Sequence, residues 1–225
     1  MTAILDYDAG NIESMRLALD HVGARPFISS DPDELRRADR LVFPGVGSAA
    51  QCMNRLRERK LDVVIREALR DKKPVLAVCI GIQLLFDRSD EDGGVEGLGI
   101  LPGRVVRFER DPGDLAVKIP HMGWNPVRFT KPHPLLPREG GAHPYYFVHS
   151  YYPIPAWEDI DARQDPGQAG RRAGVVYGVC RHAGVLFAAV VGLESLFAAQ
   201  FHPEKSGEAG LEILERFSKW DGSPC

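Results

Sequence analysis

The sequence predicts an α/β fold with a mixed, largely parallel central sheet, helices on both faces, and a small antiparallel sheet beside it. Two observations carry this. Residues 1–89 alternate short apolar runs with amphipathic segments on short connections, the pattern of a parallel sheet and its helices. Residues 104–203 instead hold a succession of short segments rich in β-branched and aromatic residues and punctuated by Gly and Pro. They read as strands, some of them antiparallel. With 225 residues, 44% of them hydrophobic, the chain can bury one sizeable core, so residues 1–225 read as a single domain.

Element by element, "TAILDY" is a strand, and "NIESMRLALDHVG" a helix with apolar residues at helical spacing and Gly23 at its end. "RPFIS" and "RLVFPG" are the second and third strands, the latter running into the glycine turn "PGVGSAA". Periodicity then predicts one helix of about twenty residues from Ser48 to Arg70. "PVLAV" is a fourth strand and "GIQLLFDRS" a further helix. Beyond these, "RVVRFE", "NPVRFT", "YYFVHSYY", "AGVVYGVCRH", "VLFAAVVG" and "SLFAAQFHP" read as strands, and "GEAGLEILERFSKW" as a closing helix. Residues 156–173, charged and rich in Gly and Pro, read as a surface excursion.

A net charge of −3, with both signs interspersed, offers no face to nucleic acid or membrane. The N-terminus reaches Asp6 without a basic stretch followed by an apolar one, so no secretory signal is expected. Cys52, Cys79, Cys180 and Cys225 have no paired spacing, which argues against a disulfide scaffold or a zinc site and for a reducing, cytoplasmic setting. No cofactor and no metal are expected.

Cys79 sits between the strand "PVLAV" and the helix that follows it. Such a thiol is open to two readings: a small buried hydrophobe, or a nucleophile on a sharp strand-to-helix turn. Ala77 and Gly81, two residues to either side, are small enough for that turn. A helix N-terminus there favours thiolate, and the N–H of Ile80 would point at an oxyanion. His202, in "AAQFHPEKS", also follows an apolar strand. Glu204 lies two residues on, the spacing that puts a carboxylate and an imidazole on one side of an extended segment. Alone, His202 and Glu204, with Pro203 between them, form an exposed His–Pro–Glu turn or a base with its orienting carboxylate. The loop "FPGVGSAA" is open to three readings. It matches a loose dinucleotide fingerprint, it could lend a second N–H from Val46 or Gly47 to an oxyanion hole near Cys79, or it is a plain tight turn. Cys79 and the His202–Glu204 pair at separate strand ends of one sheet favour the nucleophile.

With "DYDAGN", "FPGVGSAA", "VCIGIQLLF", "KIPHMGWN", "YYFVHSYY" and "QFHPEKS" assembled, the chain resembles the class I glutamine amidotransferases over almost its whole length. "HMGWN" followed by "FVHSYY" resembles, more narrowly, the glutaminase subunits of imidazole glycerol phosphate synthase. The resemblance implies a flavodoxin-like fold and glutamine hydrolysis by Cys79, His202 and Glu204, with Ile80, Val46 and Gly47 around the oxyanion. It further implies glutamine contacts from Gln83, Ser150 and Tyr151, and a partner-facing or gating Trp124. Tyr146 and His149 read equally as ordinary sheet residues. The implied partner is a (β/α)8-barrel cyclase subunit that receives the ammonia. Service to anthranilate or pyridoxal phosphate synthesis, and a nucleotide-binding module built on Gly45 and Gly47, are the competing readings. Asp8 and Ala77 stand where the family usually has glycine, and Ala77 raises the question of whether the turn needs a positive φ there.

Overall fold

The computed structural model describes residues 1–109, 118–137, 142–157 and 174–223. Four strands, β1 (Thr2–Leu5), β2 (Pro26–Ser29), β3 (Arg40–Phe43) and β4 (Val75–Val78), lie in the parallel part of a nine-stranded sheet. The other strands of that sheet are β8 (His121–Phe129), β9 (Ala142–His149), β11 (Val175–His182), β12 (Val185–Leu193) and β13 (Leu196–Ala199). The order is β2-β1-β3-β4-β13-β12-β11-β8-β9. β13 pairs parallel with β4, and every ladder from β13 outward to β9 is antiparallel. The sheet is therefore parallel over one half only, less than the "largely parallel" expectation. A second sheet, order β10-β7-β5-β6, contains β5 (Phe86–Ser89), β6 (Val95–Glu96), β7 (Leu101–Arg107) and β10 (Tyr151–Pro155). It is not purely antiparallel, because β5 and β7 run side by side in the same direction.

β1, β4 and β13 are buried on both faces, as continuous apolar runs require when helices cover both sides. Alternate residues feed opposite cores. Ala3, Leu5, Leu41, Phe43 and Ala77 meet α3 (Ala49–Glu58), α4 (Leu61–Arg70) and the second sheet. Ile4, Val42, Leu76, Val78 and Phe197 meet α1 (Ile12–His21) and α6 (Gly207–Lys219).

Four local expectations change. The helix expected over Ser48–Arg70 is two helices, broken where Lys60 takes a left-handed φ of 58°. The buried faces are Ala49, Cys52, Met53 and Leu56, then Leu61, Val64, Ile65 and Ala68. Leu56 to Leu61 is one residue longer than the helical repeat. A continuous helix would turn the second set off the sheet, forfeiting about 1.5–3 kcal/mol per large side chain to keep hydrogen bonds with a net value of about 1 kcal/mol. The segment after Cys79 is helical only over α5 (Ile80–Leu84); "FDRS" becomes β5 because β6 and β7 flank it with strand partners. "YYFVHSYY" divides at Ser150, β9 joining the large sheet and β10 the small one. A short α2 (Pro32–Arg37) is an element beyond those the periodicity predicts, and it carries a local signature: the Asp31 carboxylate accepts from the N–H of Asp33 at 2.7 Å, with Pro32 at the first helical turn. Of the expected surface excursion, residues 158–173 lie outside the described residues, as does Cys225.

Candidate active site

The parallel strands β1, β3, β4 and β13 end on one edge, where chemistry collects in sheets of this kind. β4 delivers Cys79 there, buried at 5% exposure. Its φ of 54° and ψ of −108° lie in a region that non-glycine residues rarely occupy, and such strain persists only where the surroundings enforce it. On one side the Cys79 N–H is tied to the Ala199 carbonyl of β13 at 2.9 Å. On the other, Gly81 lets the turn close, since a Cβ there would sit 2.4 Å from the Phe43 carbonyl oxygen. Ala77, in regular pairing with Phe43 and Ala198, needs no positive φ; the strain belongs to the cysteine itself. Asp8 does take a left-handed φ, 57°, as its glycine-like position suggests.

β13 runs on into Gln200 and His202. The His202 ring is buried, with Nδ1 2.7 Å from Glu204 Oε1. The same carboxylate oxygen accepts from Asn11 Nδ2. Nε2 is buried with no hydrogen-bond partner among the described residues, on the side of the ring away from Glu204. Burial works against a charge on His202, but the neighbouring Cys79 thiolate and the hydrogen-bonded Glu204 outweigh it and raise the pKa to about 10. His202 is therefore held as the imidazolium at neutral pH.

The Cys79 sulfur has two further neighbours, the Val148 carbonyl at 3.8 Å and Gln200 Nε2 at 3.9 Å. Gln83, one turn along α5, is itself buried, and its Nε2 donates to the Tyr151 carbonyl at 2.8 Å and to Gln200 Oε1 at 3.1 Å. Tyr151 thus lies against Gln83, with Ser150 beside it, half-buried at the junction of β9 and β10.

The loop after β3 is pinned at both ends. The Tyr7 hydroxyl donates to the Pro44 carbonyl at 2.5 Å, and its burial lifts the Tyr7 pKa well above the usual value. Gly45 fits because any Cβ there would lie 2.1 Å from that hydroxyl and 2.4 Å from Ile80 Cγ2. At the far end, the N–H groups of Ala49 and Ala50 donate to the carboxylates of Glu91 at 2.9 Å and Asp92 at 3.2 Å. Between them Gly47 takes a φ of 123° and Val46 is half-buried. Gly45 is thus packed against protein rather than open to a pyrophosphate, which speaks against the dinucleotide reading.

A second polar chain runs from β8 towards the site. His149 Nδ1 lies 2.8 Å from the Tyr151 carbonyl, so that nitrogen must carry the proton. Its Nε2 is then an acceptor, facing His121 Nδ1 at 2.9 Å, and His121 Nε2 in turn faces Asn125 Nδ2 at 3.0 Å. Burial holds both histidines neutral, pushing His121 down to about 3 and His149 well below the usual range. Trp124, on the opposite side of β8, is 57% exposed beside Met122 at 63%, with its ring 6.2 Å from that of Tyr146. Tyr146 is bonded through its carbonyl to the His202 N–H at 2.9 Å, so Trp124 stands one strand from the histidine. Among the described residues, no group of three or more His, Cys, Asp or Glu could hold a metal ion.

Tyr7, Asn11, Gln200, Glu91 and the His121–His149 pair were not singled out in the sequence as site residues. "DYDAGN" and "QFHPEKS" did contain Tyr7, Asn11 and Gln200.

The strained cysteine and its His–Glu pair on an α/β sheet edge describe an amidotransferase-type site, and the sequence profile of the family "Glutamine amidotransferase class-I" matches residues 3–220. The chain belongs to that family. Within it, the curated relatives include "Imidazole glycerol phosphate synthase subunit HisH" of Pseudomonas savastanoi, 43% identical over 98% of this chain and 97% of the relative. The protein of the same name from Geobacillus thermodenitrificans is 44% identical over 96% and 94%. Solved structures agree on the fold. A Trypanosoma brucei CTPS glutaminase domain with bound acivicin superposes with a TM-score of 0.64 at 18% identity, covering 98% of this chain and 94% of that one. PurLQS from Thermotoga maritima gives 0.66 at 16% identity, covering 96% of each chain.

Proposed function

We propose that this chain, acting as one domain over residues 1–225, hydrolyses glutamine to glutamate and ammonia through a thioester on Cys79. It then passes the ammonia to a (β/α)8-barrel cyclase subunit, which makes imidazole glycerol phosphate and an aminoimidazole carboxamide ribotide in histidine biosynthesis. The observation that carries the reading is the Cys79 turn with His202 and Glu204 beside it. The names of the relatives supply the pathway and favour it over anthranilate or pyridoxal phosphate synthesis.

In this reading the Cys79 thiolate attacks the side-chain amide carbon, and the carbonyl oxygen becomes an oxyanion facing the N–H of Ile80 and a second N–H from Val46 or Gly47. The His202 imidazolium gives its proton to the departing nitrogen, so ammonia leaves and the γ-glutamyl thioester remains. Neutral His202 then takes a proton from water as that water attacks the thioester; glutamate leaves and the sulfur returns to thiolate. Glu204 holds the ring through Nδ1, leaving Nε2 for these transfers. Gln83, Ser150 and Tyr151 border the place for the glutamine, and the exposed Trp124 faces the cyclase. No described helix is long and apolar enough to cross a membrane, which is consistent with a cytoplasmic place of work.

Cys79→Ala tests this directly. Glutamine hydrolysis should vanish while the complex with the cyclase still makes product from added ammonia. Full glutaminase activity in that variant would sink the reading.

A further inference from the structure

Gln200 has no role in the scheme above, yet it is wholly buried, and its side chain touches the sulfur on which the reaction depends. A buried polar side chain costs stability unless each of its groups is satisfied, and here both ends are. Gln200 Oε1 accepts from Gln83 Nε2 at 3.1 Å, which fixes the sense of the amide and turns its Nε2 towards Cys79 Sγ at 3.9 Å. Gln83 cannot readily reverse, because its own Nε2 also donates to the Tyr151 carbonyl at 2.8 Å. The sense of each bond is set from the main chain inward: the Gln83 amide donates to the Tyr151 carbonyl and to Gln200, and the Gln200 amide donates to the sulfur.

The two polar neighbours of the sulfur act in opposite directions. The Val148 carbonyl, 3.8 Å away, accepts only, so it favours the protonated thiol. The Gln200 N–H donates only, so it favours the thiolate, since a hydrogen bond to the charged form lowers a pKa. The titratable groups around Cys79 are His202 from the end of β13, Tyr7 from the end of β1 and Cys52 from α3. Burial raises the pKa of Tyr7 well above the usual value and that of Cys52 to about 11, leaving His202 as the nearby positive charge.

We propose that Gln200 is a positioning residue for the nucleophile: oriented by Gln83, its amide N–H holds the Cys79 sulfur and stabilises it as thiolate before glutamine arrives. The inference rests on Cys79 being the nucleophile.

The test reads the sulfur rather than turnover. Alkylation of Cys79 by iodoacetamide, followed across pH by mass spectrometry of the Cys79 peptide, reports the thiolate population without substrate. Gln200→Met keeps the size and removes the donor; its alkylation midpoint should rise by about one pH unit, a tenfold loss of thiolate at a given pH below it. Gln83→Met, which frees the Gln200 amide to turn over, should move the midpoint the same way by less. A purely structural Gln200 would alter the melting temperature and leave the midpoint alone. An unchanged midpoint in Gln200→Met overturns the inference, and should that variant not fold, an unchanged midpoint in Gln83→Met does so. If Cys79→Ala retains glutaminase activity, the proposed function and this inference fall together. If Cys79→Ala is dead and the Gln200→Met midpoint matches the wild type, only the inference falls.

Discussion

Glu204 Oε1 lies 2.7 Å from His202 Nδ1 and takes a second hydrogen bond from Asn11, whose residue number is 193 lower. The carboxylate that orients the imidazole is therefore itself oriented from the loop after β1. Replacing it with an amide keeps the shape and loses the anion. Glu204→Gln is expected to lower the glutamine hydrolysis rate by about 10²-fold or more, the usual scale of a general acid–base contribution. Asn11→Leu should cost less, because it frees Glu204 without discharging it. Steady-state ammonia release measures both, and a Glu204→Gln enzyme at the wild-type rate would remove the pair from the mechanism.

The histidines impose opposite pH limits on the fold. His202, with its folded pKa raised to about 10, lends stability that is fully present below the ordinary value near 6.5 and is lost as pH rises through 10. His121 and His149 are held neutral by burial, so their contribution is present above about 6.5 and is lost as pH falls from there towards the His121 value of about 3. Melting temperature against pH should therefore fall on both sides of a maximum near 6.5. His121→Gln should flatten the acid limb and leave the alkaline limb unchanged; equal acid slopes in the two proteins would show that the pair does not titrate on unfolding.

Gly45 is expected to be intolerant of even one added carbon. A Cβ would meet the Tyr7 hydroxyl at 2.1 Å and Ile80 Cγ2 at 2.4 Å, both on buried side chains. Gly45→Ala should cost about 1–3 kcal/mol in denaturant titrations, the scale of overpacking a full core. Tyr7→Phe on its own should cost about 1 kcal/mol through the lost bond to the Pro44 carbonyl. Since removing the hydroxyl also makes room, the double variant should be less destabilised than the sum of the two, and strict additivity would show that the hydroxyl is not what Gly45 accommodates.

Trp124 separates folding from assembly. At 57% exposure it adds little to the core, so Trp124→Ala should change stability by no more than about 0.5 kcal/mol. If it faces the cyclase, the same change should weaken the complex by about 2 kcal/mol, roughly thirtyfold in Kd, as truncated aromatic anchors commonly do. Calorimetric titration with the cyclase subunit measures this, and an unaltered Kd would move the interface elsewhere.

Much of the site was legible because its parts declare themselves locally. Cys79 has small neighbours in a strand-to-helix turn, and His202 and Glu204 lie two residues apart. The double-sided apolar runs of β1, β4 and β13 were legible for the same reason. The break between α3 and α4 was also written in the sequence, as the five-residue step from Leu56 to Leu61, and a single periodic frame concealed it. What could not be read depended on distant partners. Gln200 and Cys79 are 121 residues apart and Tyr7 and Pro44 37, and no local pattern announces such contacts. "FDRS" is equally poor as helix and as strand, and only the neighbouring β6 and β7 decide it.

The His121–His149 contact joins residues directly opposite each other in the β8–β9 ladder. Its protons admit one consistent arrangement, since the Tyr151 carbonyl cannot donate. Sliding β8 by a single residue would turn its side chains over, setting Met122 against the buried rings and His121 in water. The two imidazoles therefore act as a registration pin: by fixing which side of the strand is dry, they determine that Met122 and Trp124 are the residues the outer surface displays.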